Sequence, residues 1–430
     1  MSFAKYPTYK DSGVAWLGEV PGHWEVKRLK HNLRLLTEKT DRRTNPVALE
    51  NIESWSGRFV PTETEFQGEG VAFEPGDILF GKLRPYLAKA LLASQAGEAV
   101  GDFHVMRPGT HILPRFAQYN MLNRSFIDIV DGSTFGSKMP RASWEFVAAM
   151  HLPTPPLPEQ TAIATFLDRE TAKIDALVAE QERLIALLQE KRQAVISHAV
   201  TKGLDPNVPM KDSGVEWLGE VPGHWEVKAL KFIATVQTGI AKGKDNTGKE
   251  TITVPYLRVA NVQDGYLALD DIAEIEIPAS DLQRYFLQPG DVLMNEGGDF
   301  DKLGRGHIWR GEIASCIHQN HVFAVRPYGV SSEWLNAITG SGYAQFYFMA
   351  RSKQSTNLAS ISSSNIMELP VLLPPLNEQG AVLAFMAKQT SQADTLITEA
   401  RTAITLLQER RTALISAAVT GQIDVRGLAA

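Results

Sequence analysis

PEQTAIATFLDRETAKIDALVAEQERLIALLQEKRQAVISHAV, residues 158–200, returns in altered form at 377–419 as NEQGAVLAFMAKQTSQADTLITEARTAITLLQERRTALISAAV. In the first copy Ile163, Leu167, Ile174, Leu177, Leu184, Leu188 and Val195 recur at spacings near three and four, interrupted by Glu170, Gln181 and Lys191. That is the pattern of a coiled-coil seam with polar defects. A shift of 219 residues lands on Val382, Met386, Ala393, Leu396, Ala403, Leu407 and Leu414, so that the second seam is narrower than the first. A helix of about 43 residues extends roughly 64 Å and does not stand alone in water with its seam exposed. Each helix needs a partner, and its twin is the nearest candidate.

Both copies start alike. Pro155-Pro156-Leu157-Pro158-Glu159-Gln160 and Pro374-Pro375-Leu376-Asn377-Glu378-Gln379 end what precedes them and open a helix. Pro158 suits a first turn, Asn377 can cap, and the acids lie at the positive end of the helix. Lys191-Arg192 and Arg410-Arg411 put basic charge in the last third of each helix.

A second repeat lies upstream of each helix. Residues 10–30, KDSGVAWLGEVPGHWEVKRLK, reappear at 211–231 as KDSGVEWLGEVPGHWEVKALK, differing only at Ala15 against Glu216 and Arg28 against Ala229. This repeat has an offset of 201 residues against 219 for the helices, so the second intervening block is longer by the 18-residue difference. The order is motif, variable block, helix, then the same again, which is a tandem duplication. Near-identical motifs beside divergent blocks divide the labour: the blocks do the differing job, the motifs and helices the shared one. In the blocks, Gly76-Asp77-Ile78-Leu79-Phe80 and His104-Val105-Met106 read as strands, matched by Gly290-Asp291-Val292-Leu293-Met294 and His321-Val322-Phe323-Ala324-Val325. Helical stretches follow near Phe116–Val130 and Glu333–Ala350. The expected architecture is therefore α+β: two homologous α+β heads joined by two long helices packed as an antiparallel coiled coil, with internal pseudo-two-fold symmetry. Its segments are a first head over 1–157, a first spacer helix over 158–203, a second head over 204–374, a second spacer helix over 375–421 and a tail over 422–430.

Four hundred and thirty residues with 44% hydrophobic content suffice for two or three domains with real cores. A single cysteine, Cys316, excludes a disulfide scaffold. No apolar run approaches the roughly 20 residues of a membrane span, so the chain reads as soluble and cytoplasmic, with no membrane partner. The formal net charge of −6 argues against gripping nucleic acid by bulk charge. DNA binding would have to come from local basic patches or from a partner.

The paired motif, through Trp16-Leu17-Gly18 and Pro21-Gly22-His23-Trp24, resembles a known family when taken with three further features. These are the block endings Leu152-Pro153 and Leu369-Pro370, the Pro-Leu-x-Glu-Gln helix starts, and the tails Ala199-Val200-Thr201 and Ala418-Val419-Thr420. Together they resemble the specificity subunit of type I restriction-modification systems over nearly the whole chain. The resemblance implies that each block is a target recognition domain reading one half of a gapped site in double-stranded DNA. It implies long helices that bind two methyltransferase subunits, with restriction subunits completing the complex. It also implies a chain without chemistry of its own, S-adenosylmethionine, ATP and magnesium being bound by the partner subunits. The duplication then makes physical sense, because one rigid head reads only a few base pairs and two heads on a stiff spacer read two half-sites. Two rivals remain open: a coiled-coil scaffold with no DNA role, and an enzyme hidden in one block.

Motifs for chemistry are absent or incomplete. Gly243–Lys249 resembles a phosphate-binding loop, but Glu250 stands where Ser or Thr must hold magnesium and a strand-like run follows. His318 and His321 would point to opposite faces of a strand, without a third metal ligand nearby. No Asn-Pro-Pro-aromatic or Asp-Pro-Pro-Tyr signature of base methylation occurs. No catalytic or metal-binding residue is therefore assigned. Candidate DNA contacts in the first block are Lys82, Arg84, Tyr86, Ser137, Lys138 and Arg141, whose basic members can pair with guanine O6 and N7. In the second block, Lys242, Lys244 and Lys249 suit phosphates. Asn295, Lys302, Arg305, Gln319, Asn320, Ser363 and Asn365 occupy post-strand or loop positions, where Asn and Gln can pair with adenine. The Trp16, His23 and Trp24 motif, being shared, is expected to pack each head onto the helices or the methyltransferase rather than to read bases.

Overall fold

The computed structural model describes residues 3–40, 45–62, 69–136, 138–243, 246–298, 300, 303–304, 306–354 and 359–428. The chain divides into two compact units, Met1–Arg183 with Ala400–Ala430, and Leu184–Glu399. The division falls inside both long helices, Leu157–Lys202 and Leu376–Val419. Each unit therefore holds one head, the start of one long helix and the end of the other.

The first head is built on a four-stranded antiparallel sheet of β1 (Leu33–Leu36), β2 (Ile78–Gly81), β3 (Ala90–Leu92) and β4 (Phe103–Pro108), in the order β1-β4-β2-β3. Phe103 lies opposite Gly81, and Pro108 opposite Leu33. All four residues of β2 are buried, as expected of an inner strand covered on both faces. The second head repeats this plan with β5 (Ala234–Thr238), β6 (Val292–Asn295), β7 (Gly306–Ile308) and β8 (Val322–Pro327), in the order β5-β8-β6-β7.

The Gly-Asp pair before each inner strand has a local cause. Gly76 and Gly290 take φ of +90° and +98°, which L side chains resist. Asp77 then accepts from Glu74 N at 2.8 Å and from both arms of Arg107 at 2.8 Å. Asp291 does the same with Gln288 N at 2.8 Å and Arg326 at 2.7 Å. These forked pairs join the inner strand to the strand beside it.

The heads diverge in their second sheets. In the first, Gly97–Val100 pairs antiparallel with Gly70–Phe73 and parallel with Pro46–Val47. In the second, Thr251–Leu257 lies between Ala273–Pro278 and Ile317–His318. Each expected helical stretch is two helices, Pro114–Met121 with Arg124–Gly132 and Ser332–Thr339 with Gly342–Arg351. The breaks come where Asn123 and Ser341 turn their side chains onto backbone N–H groups and cap the second helix of each pair.

The long helices run antiparallel within each unit. In the first, Ile163, Phe166 and Leu167 share a core with Leu414, Ile415, Ala418 and Val419, and Asp175 pairs with Arg411. In the second, Ile196, Ala199 and Val200 share a core with Val382 and Met386, and Arg192 pairs with Asp394. The protected positions follow a strict three-four rhythm: Thr171, Ile174, Val178, Gln181, Ile185, Leu188, Arg192, Val195 and Ala199. Thr390, Ala393, Ile397, Ala400, Ile404, Leu407, Arg411, Leu414 and Ala418 match them on the second helix. Leu177, Leu184 and Leu396, placed in the seam by sequence, stand exposed, one residue away from the true rows. Among the described residues, no helix is long and apolar enough to cross a membrane.

Candidate nucleic-acid interface

The repeated motif lies at the foot of each head. Tyr9–Asp11 pairs with Glu19–Pro21, and Met210–Asp212 with Glu220–Pro222, each as a small antiparallel ribbon. Trp24 is fully buried and donates through Nε1 to Glu159 Oε1 at 3.0 Å, while His23 Nε2 donates to Oε2 at 2.7 Å. Trp225 and His224 hold Glu378 at the same two distances. The acid of each Pro-Leu-x-Glu-Gln start is thus the anchor of the motif, which ties the head to the first turn of a long helix. Beyond each anchor lies the end of the other long helix. Tyr9 Oη donates to Gly421 O at 3.0 Å in the first unit, and Gly203 lies against Trp225 in the second.

In the first head the two basic segments meet. Arg84 N donates to Pro140 O at 2.9 Å, Ala142 N donates to Lys82 O at 2.9 Å, and Leu83 faces Arg141 across an isolated bridge. Asp102 organises their charges: it accepts both arms of Arg141 at 2.9 and 2.8 Å, with Lys82 Nζ at 3.8 Å. Arg141 holds the Asp102 carboxyl below its usual range. Arg84 takes the left-handed region at φ +51°, ahead of Pro85. Tyr86 and Lys138 are exposed, and Phe135 stands 80% exposed on the same loop. Ser137 lies outside the described residues.

The second head gathers only some of its candidates. Asn295 is fully buried, donating through Nδ2 to Val262 O at 2.8 Å, and takes the place that Gly81 has in the first head. Gln319 faces Ile240 across a bridge and accepts from Val259 N at 3.3 Å. Gly239 permits that approach, because a Cβ there would collide with the His318 carbonyl. Asn320 Nδ2 is 3.3 Å from His321 Nε2. Asn365, with Ser363 on the short helix Ser363–Met367, donates to Arg351 O at 2.9 Å. Lys242 and Lys249 are exposed on the turn before the Thr251–Leu257 strand. Lys244, Lys302 and Arg305 lie outside the described residues.

The two histidines have separate lives. His318 is buried and donates through Nδ1 to Val322 O at 2.7 Å, and burial pushes its imidazole down to about 4. His321 is exposed and meets Glu296, Nδ1 to Oε2, at 2.6 Å. Among the described residues, no three His, Cys, Asp or Glu side chains gather as a metal site. A cleft of about 1020 Å³ in the first unit runs between the Glu53–Arg58 loop and both long helices. Its acids Glu53, Asp175, Glu182 and Glu409 outnumber Arg58, Arg124 and Arg411, so it makes a poor phosphate surface. Asp102, Glu296 and His321 were not among the sequence candidates, although aligning GDILFGK with GDVLMNE sets Lys82 against Glu296.

No family model matches the chain. The type I restriction enzyme EcoKI specificity subunit of Escherichia coli (strain K12) is 25% identical over 335 residues, covering 75% of this chain and 68% of that protein. The type I restriction enzyme MjaVIII specificity subunit of Methanocaldococcus jannaschii is 21% identical over 459 residues, covering 100% of this chain and 99% of its own. A solved chain described under complex assembly and conformational transition of the type I R-M system has a TM-score of 0.63 at 19% identity. It covers 93% of this chain and 98% of that one, a likeness of fold. Along its whole length, then, this chain is similar to the specificity subunits of type I restriction enzymes.

Proposed function

We propose that this chain is the DNA sequence-specificity subunit of a type I restriction-modification complex, reading a bipartite, gapped site and performing no chemistry itself. The observation that carries the reading is the duplication of one plan with unlike surfaces. Both heads share a sheet order and an anchor to the helices, yet the loops after their inner strands differ in charge and length. A reader of two different half-sites needs just that combination.

The long helices act as the spacer and as the dock for two methyltransferase subunits. Leu177, Leu184 and Leu187 on the first helix and Leu396 and Leu406 on the second lie outside the seam and exposed, which supports that docking. Restriction subunits complete the complex. S-adenosylmethionine is held by the methyltransferase subunits, and ATP and magnesium serve translocation and cleavage, all outside this chain. With a net charge of −6, the chain leaves much of the phosphate gripping to its partners.

The test is methylation by the assembled complex on DNA carrying randomised sites. One gapped sequence should be modified preferentially, and affinity should fall steeply with salt. Replacing the first head, between the two anchors Trp24 and Glu159, with a foreign one should change one half-site and leave the other. Continued methylation of the original site by that chimera would sink the reading. Binding without sequence or salt dependence would point to a scaffold.

A further inference from the structure

At one junction the two heads share a backbone but place their acid on opposite sides of it. Lys82 is the first residue after β2, and Glu296 the first after β6. Asp102 immediately precedes β4, as His321 precedes β8. Lys82 N donates to Asp102 O at 2.9 Å, and Lys82 O accepts from Ala142 N at 2.9 Å. Glu296 N donates to His321 O at 2.9 Å, and Glu296 O accepts from Ile361 N at 2.9 Å. The side chains also pair across the same gap, Lys82 with Asp102 in one head and Glu296 with His321 in the other. The acid lies on opposite sides of the gap in the two heads, faced by the Lys82 ammonium in one and by the His321 imidazole in the other. Arg141 adds a second cation beside Ala142, where the second head has Ser360 beside Ile361.

These groups reach solvent in part: Lys82 is 31% and Glu296 29% exposed, with Arg141 at 44% and His321 at 55%. The strands here are held by the same backbone hydrogen bonds in both heads, whichever side the acid takes, so folding does not demand either polarity. A position whose backbone is duplicated and whose charge is free to differ is suited to telling two half-sites apart.

We infer that this junction reads one base in each half-site, an inference that rests on the proposed function. In the first head, Lys82 and Arg141, steadied by Asp102, donate to a guanine edge, O6 and N7. In the second, Glu296, steadied by His321, accepts from an exocyclic amino group, cytosine N4 being the ordinary partner of a carboxylate. Asp102 and His321 are positioning residues.

The experiment uses the full chain assembled with its methyltransferase subunits on a library of randomised sites, with every methylated sequence recorded. Glu296→Gln should lower discrimination about tenfold at a single position of one half-site, leaving the other half-site and the gap unchanged. His321→Gln should weaken the same position, and Glu296→Asp should keep the base preference at a slower rate. Lys82→Met should loosen one position in the opposite half-site. Unchanged preference at every position, or equal weakening of both half-sites by each variant, would overturn the inference. If Glu296→Gln does not assemble, His321→Gln and Glu296→Asp decide the question in its place. A wild-type complex with no two-part preference would instead remove the proposed function itself.

Discussion

Glu159 and Glu378 have the same two partners but not the same surroundings. The Glu159 side chain is 7% exposed and that of Glu378 27%. Removing the acid leaves a buried tryptophan N–H without its acceptor, so Glu159→Ala should lower stability by about 2 kcal/mol and Glu378→Ala by less. Urea unfolding of the two variants measures the difference, and equal losses would mean that the anchor works through something other than burial. His318 sets a pH dependence. Burial lowers its pKa from 6.5 to about 4, because protonation would put charge on an imidazole whose Nε2 has no partner among the described residues. Between those values the unfolded chain takes up a proton that the folded chain refuses. Stability from this group is therefore full above about 6.5 and lost as pH falls toward 4, by at most about 3 kcal/mol. His318→Gln should unfold with a shallower loss than wild type between pH 6.5 and 5.

At the scale of elements, Asp175–Arg411 and Asp394–Arg192 are the same ion pair carried through the 219-residue repeat, and they differ in strength. The Arg411 side chain is 10% exposed and also donates to Trp55 O at 2.8 Å. Arg192 is 32% exposed, and its contact is longer, at 3.3 Å. Arg411→Met should destabilise by about 2 kcal/mol, because Asp175 and a backbone carbonyl lose their donor. Arg192→Met should cost under about 1 kcal/mol. Double-mutant cycles with Asp175→Asn and Asp394→Asn isolate each coupling, and coupling of equal size would contradict the burial argument. These arginines also explain how far the sequence alone reaches. The repeats, the helix starts and the strands after Gly-Asp are legible because each has a local chemical cause. The seam is displaced by one residue at Leu177 and Leu184 because each leucine is as apolar as its protected neighbour, Val178 or Ile185, and because Arg192, also in the row, does not look like a seam residue. An arginine belongs in a seam only if an acid on the facing helix meets it, and that acid is hundreds of residues away in sequence. The loops after the inner strands can be located in the sequence but not resolved into contacts, since Arg141 is held by Asp102 through folding alone.

At the scale of the whole molecule, the chain closes on itself twice, once covalently and once not. In the second unit the long helix runs from Lys202 through residues 203–209 into the next motif. In the first unit the corresponding step is made by contact: Asp424 N donates to Ala4 O at 2.8 Å, and Tyr9 reaches Gly421. A permuted chain beginning near Leu204, with a short flexible linker joining residue 428 to residue 3, should fold and keep its sequence preference, as methylation mapping would reveal. Loss of folding would show that covalent order matters beyond these contacts. The same closure has a consequence for how such a molecule arises. A half-length gene holding one motif, one head and one rod already encodes every complementary surface of a junction. Its product would be completed by a sister molecule, and that pair would recognise two like words where the fused gene is free to let each word drift into something new.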